Sequence, residues 1–134
     1  MALSDFPPFL TDNDPASNFA AYTRAVTGSW QILTLASGIA HQGSEKMSYR
    51  REGGRVFFRW GISGTGIAAN SNVDLGSVVS SCRPPSSRYC PGVLGASGNV
   101  SGGLVINAAG VVSFRNGATT SSYYLFDGVS FDLG

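Results

Sequence analysis

Residues 46–63 read KMSYRREGGRVFFRWGIS, and this stretch decides the fold class predicted for the chain. The Gly53-Gly54 pair separates two strand-like runs, 46–52 and 55–63, which is the pattern of a β-hairpin. In the second run, two sets of residues alternate. The first set is large and apolar (Val56, Phe58, Trp60 and Ile62), and the second set is Arg55, Phe57, Arg59 and Gly61. Side chains alternate between the faces of a strand. The first set is therefore predicted to be core, and the second, with Phe57 and Arg59, suits a surface or a subunit contact.

The rest of the chain continues this β pattern. Two more hairpins are predicted, one pairing 103–108 with 111–114 and one pairing 122–126 with 129–133 across the Asp127-Gly128 turn. In all, roughly seven or eight short strands with turn signals at about ten-residue spacing are expected. Such spacing indicates an all-β antiparallel sandwich or jelly roll rather than βαβ units.

The middle of the chain is less regular. A short apolar run at 30–36 is predicted to be a strand, whereas 64–102 is mostly irregular and is expected to hide short strands. Cys82 and Cys90 flank a Pro-Pro turn in this stretch. Either a small disulfide loop or two free thiols fits this spacing, because no signal peptide defines the redox compartment.

One short α-helix is predicted near the N-terminus, over residues 14–27, with Asp14 as its cap. It carries one apolar stripe, at Phe19, Tyr22 and Val26. A helix this short is marginal alone, so another surface or further copies of the helix should cover the stripe. The predicted division is an N-terminal arm and helix at 1–28, a possible trimeric neck, followed by a β-sandwich head at 29–134.

Composition excludes several classes of protein. The formal net charge is +1, which gives no broad basic field for nucleic acid or anionic lipid. The apolar fraction of 43% is too high for a disordered chain. No run approaches the roughly 20 apolar residues of a membrane helix, and the first residues lack the pattern of a signal peptide. The expectation is no nucleic-acid partner and no insertion into a membrane.

Catalytic, cofactor and metal signatures are weak. His41 is the single histidine and lies in a Gly-rich loop, so with two cysteines it supplies at most three metal ligands at no recognised spacing. The stretch GTGIAA at 64–69 matches a dinucleotide-binding fingerprint but lacks the helix that must follow. No two carboxylates are marked as partners. The sequence therefore predicts no metal, no cofactor and no enzyme.

Aromatic residues near loops are the best candidates for ligand contact. Tyr89, Tyr123 and Tyr124 lie in or beside loops, and Arg88 adjoins the first of them. An amphipathic ring with a hydroxyl suits sugars and interfaces, because its face is apolar and its edge forms hydrogen bonds.

From residue 30 onward the chain resembles the C-terminal head domain of tail-fibre and baseplate receptor-binding proteins of tailed bacteriophages and their prophage relatives. The resemblance lies in turns and strand faces: YRREGGRV at 49–56, RP at 83–84, INAAG at 106–110 and SF at 130–131. It implies an antiparallel β-sandwich head that assembles as a homotrimer, with the preceding helix as a three-helix neck.

The resemblance also implies a function. Such heads bind host cell-surface saccharides without covalent chemistry, as part of a virion tail or baseplate, where other tail proteins are their partners. Weak single sites gain strength from three copies in each trimer. Two alternatives remain: a purely structural fibre-tip trimerisation module without a ligand, and a depolymerase that cuts surface polysaccharide.

Overall fold

The computed structural model describes residues 28–134. The predicted helix over 14–27 and its stripe of Phe19, Tyr22 and Val26 lie outside these residues. The described part of the chain contains one 3-10 turn, Ser80–Cys82, and ten β-strands. The strands are β1 Gln31–Ile32, β2 Ser48–Glu52, β3 Arg55–Arg59, β4 Gly61–Ser63, β5 Asn72–Ser77, β6 Arg88–Gly95, β7 Val100–Ile106, β8 Val111–Asn116, β9 Tyr123–Leu125 and β10 Ser130–Asp132.

The strands form two sheets in which neighbouring strands are antiparallel. One sheet has four strands in the order β1-β2-β3-β10, and the other has six in the order β4-β9-β6-β7-β8-β5. The predicted all-β class is confirmed for the described residues. The 30–36 run contributes only the two residues of β1, after which Ala36 donates a main-chain hydrogen bond of 2.7 Å to Leu75 in β5.

The hairpin predicted from 46–63 is present as β2 and β3. Gly53 makes the turn with a φ of +59°, a conformation that favours glycine. Val56 and Phe58 are buried, as the alternation predicts, and Phe57 lies on the outer face opposite Arg50 of β2.

The second half of that predicted strand does not continue the first half, because the strand is interrupted at Trp60. Trp60 has a φ of +64°, so the extended run ends at Arg59 and a new strand begins at Gly61. The two strands, β3 and β4, belong to different sheets. Trp60 is only half-buried, so its predicted place in the core is wrong, whereas Ile62 beyond the break is fully buried.

The predicted hairpin across Asp127-Gly128 is also wrong. The preceding strand, β9, pairs with β4 and β6 in the six-stranded sheet, whereas the following strand, β10, pairs with β3 in the four-stranded sheet. The turn thus carries the chain from one sheet to the other. Phe126 donates a main-chain hydrogen bond of 2.9 Å to the carbonyl of Trp60, so both crossings occur at one corner.

The stretch predicted to be irregular contains all of β5 and β6 and the first three residues of β7. Both β5 and β6 carry irregularities of register, between Asp74 and Gly76 and around Val93, which weakens a period-two pattern in the sequence. The β7–β8 hairpin is confirmed, and Gly110 closes its turn with a φ of +84°.

A single apolar core lies between the sheets. The four-stranded sheet contributes Phe58 and Phe131, whose ring centroids are 6.0 Å apart. The six-stranded sheet contributes Phe114 and Tyr124, with centroids 4.6 Å apart. Fully burying an aliphatic or aromatic side chain stabilises the fold by about 1.5–3 kcal/mol. The inner faces are thereby occupied, and the outer faces of both sheets are left to carry function.

Candidate ligand-binding face

Tyr89 is the most exposed aromatic side chain of the described residues. It lies near the start of β6, on the outer face of the six-stranded sheet, and 56% of its surface is accessible. Its ring lies against the backbone of Gly103 in β7: a Cβ built on Gly103 would be 2.7 Å from Cε2, Cζ and the hydroxyl of Tyr89. The absence of a side chain at Gly103 therefore lets the ring lie close to the sheet while more than half of the residue stays accessible.

Arg115 lies beside this ring. The Cζ atom of Arg115 is 5.6 Å from the centroid of the Tyr89 ring, within the range of a cation–π contact. Arg115 is the cross-strand partner of Gly103 on one side and of Asn72 on the other. Its Nε donates a hydrogen bond of 3.3 Å to Oδ1 of Asn72, which fixes the guanidinium on the outer surface of the sheet.

A second polar pair lies next to the first. Ser113 is the cross-strand partner of Asp74, and its hydroxyl donates a hydrogen bond of 2.6 Å to Oδ1 of that carboxylate. Ser113 and Arg115 are two residues apart on β8, as Asn72 and Asp74 are on β5, so all four side chains share one face. We name this surface the Tyr89 face; it comprises Tyr89, Gly103, Arg115, Asn72, Asp74 and Ser113.

The Tyr89 face combines an apolar platform with directional polar groups. Among the described residues, the one ion pair within 4.0 Å joins Arg50 to Glu52, so neither Arg115 nor Asp74 has a charged partner there. The exposed ring can pack against an apolar surface of a ligand, the Arg115 guanidinium can donate hydrogen bonds, and the Asp74 carboxylate can accept them. This is the chemistry that recognises a polyhydroxylated molecule.

One of the predicted contact residues belongs to the core instead. Tyr124 is fully buried, so its predicted role as a ligand contact is wrong. Its hydroxyl oxygen accepts hydrogen bonds of 3.0 Å from the Asn116 side-chain amide and from the main-chain N–H of Ser121. Alternation along β9 directs Tyr124 inward, and the buried hydroxyl holds the loop that precedes the strand.

Tyr123 and Arg88 do not join Tyr89 in one site. Tyr123 lies in β9, which meets β6 where Leu125 pairs with Leu94. Leu94 is five residues from Tyr89, roughly 16 Å along a strand at about 3.3 Å per residue. Arg88 is half-buried and donates hydrogen bonds to Ser86. Because Arg88 directly precedes Tyr89 on the strand, the two side chains point to opposite faces of the sheet.

Cys82 and Cys90 are both free thiols in this structure. Of the two alternatives that the sequence left open, a disulfide loop or two free thiols, the structure has the second. Both are buried in the core between the sheets. Burial raises the pKa of each thiol above its ordinary value, because it disfavours the thiolate. Cys82 lies in the 3-10 turn and Cys90 in β6.

The outer face of the four-stranded sheet has a different character. The guanidinium carbons of Arg50 and Arg59 lie 4.8 Å and 4.1 Å from the ring centroid of Trp30, and Phe57 lies half-buried beside them. Nε of each arginine is buried without a hydrogen-bond partner among the described residues. We name this surface the Trp30 face; it comprises Trp30, Arg50, Phe57 and Arg59. Trp30 is half-exposed here.

The sequence indicated Tyr89 as a candidate contact but not most of the residues that lie near it in the structure. Arg115, Asn72, Ser113 and Gly103 were not predicted to be site residues, and Asp74 was not recognised as a partner of any other residue. Alternation within β8 places Ser113 and Arg115 on one face, which is a usable signal. The pairing of β8 with β5, about forty residues earlier, has no local signal.

The remaining groups with possible chemistry are His41 and the potential metal ligands of the described residues. His41 is half-buried, and its Nδ1 accepts a hydrogen bond of 3.0 Å from the main-chain N–H of Met47. Desolvation, with a smaller effect from Lys46, lowers the pKa of His41 below its ordinary value. Across residues 28–134 there is no group of three or more potential metal ligands. No helix within that range is long and apolar enough to cross a membrane.

Comparison of the chain with protein-family models, with curated proteins and with solved structures gave no match.

Proposed function

We propose that the chain is a saccharide-binding module that acts through the Tyr89 face. The observation that carries the proposal is the exposed Tyr89 ring, which lies on Gly103 near Arg115 and near Asp74, a carboxylate without a charged partner among the described residues. A sugar presents an apolar face of C–H groups and a rim of hydroxyls. The ring supplies the apolar contact, and the adjoining side chains supply donors and acceptors for the rim.

The biological setting we propose is the receptor-binding head of a phage or prophage tail fibre or baseplate. Its support is the resemblance of residues 30–134 to such heads, together with an all-β fold of two antiparallel sheets. In this proposal the sheets are a jelly-roll-like head, the ligand is a host cell-surface saccharide, and the protein functions in the virion with other tail proteins as partners.

The proposal includes assembly as a homotrimer, with the Trp30 face as a subunit contact. Phe57 is only half-buried there, beside the Arg50 and Arg59 side chains. A neighbouring subunit would supply apolar cover for Phe57. The predicted neck residues Phe19, Tyr22 and Val26 belong to the same hypothesis but lie outside the described residues. Three copies would convert weak single-site binding into avidity.

The proposal assigns binding without turnover. Asp74 is the one carboxylate of the Tyr89 face, whereas glycoside hydrolysis commonly uses a pair flanking the bond. His41, the sole histidine, has its Nδ1 engaged by Met47 in a loop that is not part of this face. The depolymerase alternative would be supported if reducing ends were released from host polysaccharide.

The test is a glycan array probed with the purified full chain, together with a measurement of mass by light scattering. We expect binding to at least one saccharide and a mass three times that of one chain. Tyr89→Ala should abolish binding while the fold is kept. Val100→Ala is the matched control, because Val100 is an exposed apolar residue of the same sheet, 66% accessible, outside the Tyr89 face.

Each half of the proposal can fail separately. A wild-type chain that binds no saccharide and no bacterial surface would leave the structural fibre-tip role in its place. Saccharide binding that survives Tyr89→Ala would move the site elsewhere. A monomer at micromolar concentration would contradict the homotrimer and the role proposed for the Trp30 face.

A further inference from the structure

We infer that the Tyr89 face selects acidic saccharides, with a sugar carboxylate bound by Arg115. The inference rests on the proposed saccharide-binding function and specifies its ligand. It follows from the state of the Arg115 guanidinium, from the position of Asp74 and from the Tyr89 ring near the guanidinium.

The Arg115 guanidinium has unused donors. Its Nε is engaged by Asn72, but its two terminal nitrogens make no hydrogen bond to any described residue, and the side chain is exposed. No carboxylate of the described residues lies within 4.0 Å of it. A guanidinium fixed at Nε and open at its terminal nitrogens presents the planar pair of donors that matches a carboxylate.

Asp74 does not neutralise Arg115, although the two side chains share one face. Its Oδ1 accepts the hydroxyl of Ser113, and this bond orients the carboxylate along its own cross-strand row, one row away from Arg115. Its other oxygen is free to accept a sugar hydroxyl. The Tyr89 face therefore has a cationic end and an anionic end, and a ligand that fits both carries an acidic group and a hydroxyl group.

Tyr89 fixes where that acidic group must lie. Because the Arg115 guanidinium is 5.6 Å from the ring centroid, a sugar stacked on the ring places its substituents beside the guanidinium. A hexuronic acid carries its carboxylate directly on the sugar ring, so it can stack on Tyr89 and pair with Arg115 at the same time. A neutral hexose would leave the guanidinium donors to water.

The experiment uses an array printed with hexuronate-containing oligosaccharides and their carboxyl-reduced counterparts. The wild-type chain should prefer the acidic member of a pair by about tenfold or more, the scale of a charge-assisted hydrogen bond. Arg115→Gln should remove the preference while residual binding through Tyr89 persists. Arg115→Lys should restore only part of it, because the charge is kept and the paired donors are lost.

Arg88→Gln is the matched control, because it removes one positive charge from the same sheet at a side chain that binds Ser86. It should leave the preference unchanged. Equal binding of acidic and carboxyl-reduced partners, or a preference that survives Arg115→Gln, would overturn the inference and leave saccharide binding intact. Failure of the wild-type chain to bind any saccharide would instead refute the proposed function, and the inference with it.

Discussion

The main-chain N–H of Trp60 donates a hydrogen bond of 2.9 Å to Oδ1 of Asp127, 67 residues further along the chain. Trp60 has a φ of +64°, a conformation that costs a bulky residue about 1–3 kcal/mol. The carbonyl of the same residue accepts the N–H of Phe126. The corner at which the chain changes sheets twice is thus held by hydrogen bonds to both the N–H and the C=O of one strained residue.

Asp127→Ala should destabilise the fold by about 1–2 kcal/mol, because the Trp60 N–H loses its acceptor while the strained backbone remains. Asp127→Asn keeps an oxygen at the same position and should cost much less. Urea unfolding followed by tryptophan fluorescence measures both variants. Equal losses for the two would show that the charge of Asp127, rather than its hydrogen bond to Trp60, is what matters.

Gly103 and Tyr89 should be energetically coupled. Gly103→Ala places a methyl group 2.7 Å from the far end of the exposed Tyr89 side chain, and we expect a cost of about 0.5–1.5 kcal/mol from the ring displaced off its rotamer. The same change in a Tyr89→Ala background should cost less, because the clashing group is gone. A double-mutant cycle from urea unfolding gives the coupling, for which about 0.5–3 kcal/mol is typical of residues in contact. An identical penalty in both backgrounds would contradict the contact.

The stability of the fold should fall in mild acid because of His41. Its pKa is lowered in the folded chain, so below pH of about 6.5 the unfolded chain binds more protons and stability decreases. This contribution is present in full above that pH and is lost as the pH falls through the folded pKa. Protonated Nδ1 could no longer accept the Met47 N–H.

His41→Asn provides the matched comparison, because an amide oxygen can accept the Met47 N–H without titrating. Urea unfolding at pH 7 and pH 5 should show a smaller loss of stability for this variant than for the wild-type chain. Lys46 contributes a smaller part of the lowering, so Lys46→Gln should shift the titration slightly toward the ordinary value. A wild-type curve parallel to that of His41→Asn would refute the role of His41.

Both cysteine thiols should be slow to react in the folded protein and fast in the unfolded one. Cys82 and Cys90 are buried, and burial also raises the pKa of each, which lowers the thiolate fraction. A thiol-reactive dye should therefore count two thiols per chain in denaturant, without added reductant. A count of zero in denaturant would establish the disulfide that the structure does not contain.

The sequence was a good guide where local pattern and tertiary structure agree. The Gly53 turn and the alternation of Val56 with Phe57 predicted the β2–β3 hairpin, and both depend only on neighbouring residues. The Asp127-Gly128 dipeptide has the same local signal as a hairpin turn. Its strands join different sheets because pairing is decided by β3 and β6, which are distant in the chain.

The candidate site was predictable only in part for a similar reason. Tyr89 could be proposed from its residue type and its place beside a loop. The prediction for Tyr124 failed because two adjacent tyrosines on one strand must point to opposite faces, and the sequence does not say which faces inward. Arg115 and Asn72 become neighbours through the pairing of β8 with β5, which no local pattern announces.

The lengths of the outermost strands restrict how copies of this chain could associate. The outermost strand β1 has two residues, and β10 and β4, at the ends of their sheets, have three each, so little unpaired main chain is offered for strand-to-strand addition. The outer edge of the longer strand β5 is already paired in part, because its Leu75 carbonyl accepts a hydrogen bond from the Ala36 N–H. Contacts between copies of the described residues would then rely on side chains of the outer faces rather than on added strands.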